Sequence, residues 1–84
     1  MLEIARFYGM IVKMFFRGGE HNPPHIHIEY SGRKGTIDIT TLQFMQSDLP
    51  TQATNLALKW ATLYQSELLE IWNTQNFRKL PPLE

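Results

Sequence analysis

The chain has 84 residues, 43% of them hydrophobic and 12% aromatic, and its eight basic side chains balance eight acidic ones. These values predict a single domain, 1–84, with a thin core, and they exclude a disordered chain or a membrane span. Zero net charge argues against a strong nonspecific grip on a nucleic-acid backbone, and the lack of cysteine excludes disulfides and a thiolate zinc site.

The opening Met1-Leu2-Glu3-Ile4-Ala5-Arg6 has an early acid and no apolar stretch of signal-peptide length, so a cytoplasmic protein without membrane contact is expected. The run 7–16 is rich in apolar and aromatic residues and reads as the first strand. Within it Val12, Met14 and Phe16 alternate with Ile11, Lys13 and Phe15, and Lys13 marks the wetter face. Arg17-Gly18-Gly19-Glu20 breaks that strand. The glycine pair lacks the Lys-Ser/Thr of a phosphate loop and is read as a turn. Pro23 and Pro24 then fix an extended, stiff connection.

Residues 25–30 form the second strand, with Ile26, Ile28 and Tyr30 on one face and His25, His27 and Glu29 on the other. Ser31-Gly32-Arg33-Lys34 reads as a four-residue turn, and 35–40 as the third strand. That turn pairs Ile28 with Ile37 and Ile26 with Ile39, which sets His27 opposite Asp38, His25 opposite Thr40 and Glu29 opposite Thr36. A short fourth strand is placed at 42–45.

From about 50 to 75 the pattern is helical. Ala53, Leu56, Ala57, Trp60, Tyr64, Leu68, Ile71 and Trp72 fall on one stripe, and no glycine or proline intervenes before Pro81. Pro50 suits the first turn, and Asp48 is placed as a cap or favourable charge. An unbroken helix of about 25 residues would be about 37 Å long, against about 20 to 27 Å for the strands. It would therefore overhang the sheet and leave Trp72 and Phe77 for a partner or a second copy. The tail 78–84 is expected to fray or to dock extended. The predicted fold is thus α+β: an antiparallel meander of three to four strands followed by one long C-terminal helix packed on one face.

All three histidines lie within seven residues, His21-Asn22-Pro23-Pro24-His25-Ile26-His27. Imidazole exchanges protons near neutral pH and is the commonest metal ligand. His25 and His27 are candidates for an acid–base pair, with Asp38 orienting His27 and with Lys13 or Arg33 on a phosphate. His21, His25 and His27 together also suit a divalent transition metal as an alternative, although no cofactor is otherwise expected. A plain structural role fits the same residues: rings on the wet face of a half-buried strand, and His21 closing the Asn-Pro-Pro turn. Ser47 and Ser66 have no histidine–acid partner at legible spacing, which leaves a serine nucleophile unsupported.

Phe7-Tyr8-Gly9, then Glu20 through His27, then Gly35-Thr36-Ile37-Asp38-Ile39 resemble the bacterial domain-of-unknown-function family 4160, as do Leu49-Pro50, Trp60-Ala61 and Glu67 through Trp72. Glu20 stands where Asp is common in that family and Ile26 where Phe is common. The resemblance implies a small bacterial protein, often encoded beside one of domain-of-unknown-function family 2442, in a two-gene layout of toxin–antitoxin type. It transfers no catalytic residue. The expectation is a toxin–antitoxin-type component that acts on RNA through a His/Asp face. The alternatives are a non-catalytic protein-binding antitoxin or adaptor, and a histidine-based metal-binding protein. Its partner would be a small operon-encoded protein, or a second copy held through the long helix.

Overall fold

The computed structural model describes residues 2–15 and 23–83. Five strands form one antiparallel sheet in sequence order: β1 (Leu2–Phe7), β2 (Met10–Met14), β3 (His25–Tyr30), β4 (Arg33–Asp38) and β5 (Gln43–Ser47). Two helices follow, α1 (Thr51–Leu63) and α2 (Gln65–Thr74). The α+β class and the meander agree with the sequence pattern, while the strand count and the single helix do not.

The run 7–16 is not one strand. Tyr8 (φ 49°) and Gly9 (φ 79°) both take left-handed conformations, which is the geometry of a two-residue hairpin turn. The chain therefore folds back between Phe7 and Met10, and Leu2–Phe7 becomes an additional strand. Tyr8 hides this signal, because asparagine or glycine is the usual occupant of its position.

The β3–β4 turn is built the same way, from Ser31 (φ 48°) and Gly32 (φ 79°). A two-residue loop replaces the expected four-residue one, and the register moves by two. Ile26 now faces Ile37, His27 faces Thr36, His25 faces Asp38 and Glu29 faces Lys34. Isoleucines still share a face, so the hydrophobic pattern alone does not choose between the two registers. The observed one sets Glu29 against a cation and Ile28 against Gly35. Gly35 is the position where Phe44 and Leu49 close over the sheet: a Cβ there would lie 2.8 Å from Phe44 and 2.9 Å from Leu49.

Met10, Val12, Met14, Ile26, Ile28 and Ile37 are fully buried beneath the helices, together with Trp60, Leu68 and Ile71 from the predicted apolar stripe. The helix breaks at Tyr64 (φ −113°, ψ 21°), although no glycine or proline stands there. The Gln65 amide pins the junction to the sheet by donating to the carbonyls of Ile39 (2.8 Å) and Thr40 (3.3 Å). The break removes the expected overhang: the Cα envelope measures 31 × 24 × 21 Å, shorter than an unbroken helix of the predicted length. Trp72 is buried at 4% exposure, and Phe77 is half-buried against the core. Asp48 does not cap α1; its carboxylate accepts the Lys34 N–H at 3.2 Å, and α1 starts without a side-chain cap.

The tail docks extended. Leu80 N–H donates to the Ile4 carbonyl (2.8 Å), and Trp60 Nε1–H donates to the Pro81 carbonyl (2.8 Å). Leu80 and Leu83 are buried. Among the described residues no helix is long and apolar enough to cross a membrane.

Candidate functional site on the open sheet face

Helices cover one face of the sheet and leave the other open. Along β3 alternation assigns Ile26 and Ile28 to the covered face and His25, His27 and Glu29 to the open one. Pairing with β2 sets Lys13 opposite His27 and Ile11 opposite Glu29. On the other side of β3, Thr36 lies opposite His27.

The histidine end of this face is a run of touching rings. The Phe15 and His27 centroids are 4.4 Å apart and edge-on, His27 and His25 are 5.1 Å apart, and His25 and Trp72 are 5.0 Å apart. His27 is half-buried and can meet a ligand from the open side. His25 is only 8% exposed, because it starts β3 at the end of the sheet, where Trp72 of α2 lies against it.

His25 Nδ1 lies 2.9 Å from the Pro23 carbonyl oxygen. A carbonyl only accepts, so the ring donates from Nδ1, and Nε2 is left for proton exchange or for a metal. The proline pair sets this up: with φ fixed at Pro23 and Pro24, that carbonyl is held beside the imidazole two residues on.

Charge on this face is already partnered. Lys13 Nζ sits 3.0 Å from Glu29 Oε2, in a half-buried ion pair. To contact a phosphate the ammonium must share or leave Glu29. Arg33 is not brought to the histidines: it pairs with Tyr30 at the far end of β3, about 16 Å along the strand from His25. Its guanidinium reaches the Asp48 carbonyl at 3.4 Å. Asp38 lies opposite His25 rather than His27, and its Oδ1 accepts from the Thr40 N–H (2.8 Å) and the Thr41 N–H (3.2 Å). That carboxylate builds the turn after β4, where a short acidic side chain replaces backbone partners.

His21 lies outside the described residues. Among the described residues no three His, Cys, Asp or Glu side chains gather as a metal-ligand group. His25 and His27 are the two nitrogen donors that share a location. Trp72, expected as a partner contact, instead packs on His25, and Phe77 packs against the core. Phe15 joins the site through its ring contact with His27, and its alternation with Lys13 is the sequence signal that sets it on this face.

The family model described as Domain of unknown function (DUF4160) matches residues 9–73. The match runs from the first hairpin turn to the last turn of α2, includes His25, His27, Lys13 and Asp38, and leaves out β1 and the docked tail. No curated protein and no solved structure matches the chain.

Proposed function

The chain belongs to the DUF4160 family, and on that premise we propose that it is a toxin–antitoxin-type component whose chemical site is the His25–His27 end of the open sheet face, acting on RNA in the cytoplasm. The observation that carries this reading is the pair of imidazoles 5.1 Å apart, one with its Nδ1 proton already committed to Pro23. Metal-free cleavage of RNA needs a base for the 2′-hydroxyl proton, an acid to protonate the departing 5′-oxygen, and positive charge on the phosphate. Two imidazoles in contact supply the first two from one small patch. Lys13, beside His27, supplies the third when a phosphate competes for it with Glu29. The 2′-oxygen attacks phosphorus as the bond to the 5′-oxygen breaks, leaving a 2′,3′-cyclic phosphate and a 5′-hydroxyl; the imidazole that enters neutral takes the 2′-hydroxyl proton, and the one that enters protonated gives its proton to the departing 5′-oxygen. In this reading Asp38 shapes the neighbouring turn rather than orienting a ring, and Arg33 takes no part.

Expression with and without the operon neighbour, scored for growth inhibition and complex formation, tests the proposal. Replacing His25 and His27 together by Gln is expected to abolish inhibition while leaving the fold and partner binding intact. Undiminished toxicity in that variant removes the nuclease reading.

The Nδ1–Pro23 bond also favours a second reading, because ligating histidines commonly donate their other ring N–H to a carbonyl. A divalent metal on His21, His25 and His27 would raise the melting temperature of tag-free protein in zinc, and His25→Ala would cancel the rise. No rise in the wild type sinks the metal reading.

A further inference from the structure

We infer that Glu29 exchanges between two lysines, with Lys34 taking the carboxylate when Lys13 turns to a phosphate. Lys34 is then a positioning residue that acts on the phosphate only through Glu29. The phosphate step rests on the reading that RNA meets the histidine end of the open face.

Alternation and register bring the three charges together on that face. Lys13 stands opposite His27, and Lys34 stands directly opposite Glu29. Lys13 therefore reaches Glu29 on a diagonal, at 3.0 Å, from a place beside the ring. The pair is half-buried, with side chains 18% and 34% exposed. Lys34 is exposed and makes no ion pair among the described residues. The Asp48 carboxylate meets its backbone N–H instead. On the β2 side Glu29 faces the apolar Ile11, and Arg6 beyond it is held by Glu3 at 2.8 Å. Lys34 is thus the cation placed to succeed Lys13.

A phosphate at His27 draws the Lys13 ammonium off Glu29. Without a second partner, that carboxylate would lose its charge pair and repel the incoming phosphate. Lys34 lies one strand away, at the usual cross-strand spacing of about 5 Å, so the carboxylate changes partner by side-chain rotation alone. Lysine suits both ends of this exchange, because its ammonium is a point charge on a flexible stem with no fixed donor plane. No backbone has to move.

Fluorescence anisotropy of a labelled, uncleavable 2′-O-methyl single-stranded RNA at low salt tests the exchange. Lys34→Met is expected to weaken binding about two- to fivefold, the size of one cross-strand charge pair. Lys34→Arg is expected to restore it, and Glu29→Gln to tighten it. In the Glu29→Gln background no carboxylate needs a second partner, so Lys34→Met is expected to change nothing. An equal loss in both backgrounds would make Lys34 a direct phosphate contact or a distant charge, and overturns the inference.

A second measurement needs no RNA. Lys13→Met empties one side of Glu29. The coupling between Glu29 and Lys34, taken from unfolding equilibria of single and double variants, is then expected to rise about two- to fivefold as an equilibrium constant. Unchanged coupling overturns the inference even where RNA binds. A raised coupling in a protein that binds no RNA upholds the exchange and overturns the nuclease reading instead.

Discussion

The two faces of the sheet are made from the same strands and differ in almost everything else. On the covered side Met10, Val12, Met14, Ile26, Ile28 and Ile37 have no exposed surface. On the open side Ile11, Lys13, Phe15, His27, Glu29 and Thr36 are half-buried, and they meet through rings, one ion pair and cross-strand neighbours. Apolar burial is nondirectional and scales with area, so the covered face sets stability. The open face contributes small, directional contacts, and its side chains can be exchanged for function at modest cost.

The largest expected effect is on the covered side. Trp60 is fully buried, packs against Phe7 and Tyr64, and donates to the Pro81 carbonyl. Trp60→Ala is expected to cost about 3–5 kcal/mol in denaturant unfolding and to release the tail, seen as faster exchange of the Leu80 amide. A cost below about 1 kcal/mol would mean that the helical layer does not set stability. The histidines come next, and they should differ from each other. His25→Ala removes a buried ring from Trp72 and leaves the Pro23 carbonyl without its donor, for about 1–3 kcal/mol. His27→Ala is expected to cost about 0.5–1 kcal/mol, as its ring is half-exposed. Equal costs would place both rings in one environment and break the distinction between a buried and a half-exposed imidazole.

Much of this contrast is legible in the sequence, because period-two alternation along 25–30 and the helical stripe from Ala53 to Trp72 follow from burial itself. The features that miss are those that burial leaves undetermined. Tyr8 in a left-handed turn conceals a hairpin, and Ser31-Gly32 shortens a loop without changing which residues face the core. The helix breaks at Tyr64, beside a Gln65 amide bound to the sheet, in a sequence with no local breaker. For the candidate site, the grouping of His25 and His27 with Lys13 was readable from alternation. The place given to Asp38 opposite His27 rested on register and moved with it, to His25.

Register therefore supplies a smaller and sharper test. Glu29 stands opposite Lys34. Lys34→Glu opposes two carboxylates on one strand pair and is expected to destabilise by about 0.5–1 kcal/mol, relieved by salt. In the register read from sequence, position 34 lies in a loop and the same change would be silent. A salt-independent, neutral result would thus favour the longer turn.

The smallest effect lies on the exposed β1 edge of the open face. Arg6 hydrogen-bonds Glu3 through Nη2 at 2.8 Å, and this bond holds the Glu3 carboxyl below its ordinary value of 4.5. A carboxyl with a lowered value in the folded chain favours folding above its unfolded value, and the contribution disappears as pH falls through the lowered one. It is therefore complete above pH 4.5 and lost on further acidification. Both groups are open to solvent, so the signature belongs in the titration of Glu3 rather than in the melting temperature. Arg6→Gln is expected to return the Glu3 midpoint, followed by side-chain NMR, toward the ordinary carboxylate range. An unmoved midpoint would assign the shift to the more distant Lys13 and Lys79, and would mean that the open face acts on its carboxylates collectively rather than pair by pair.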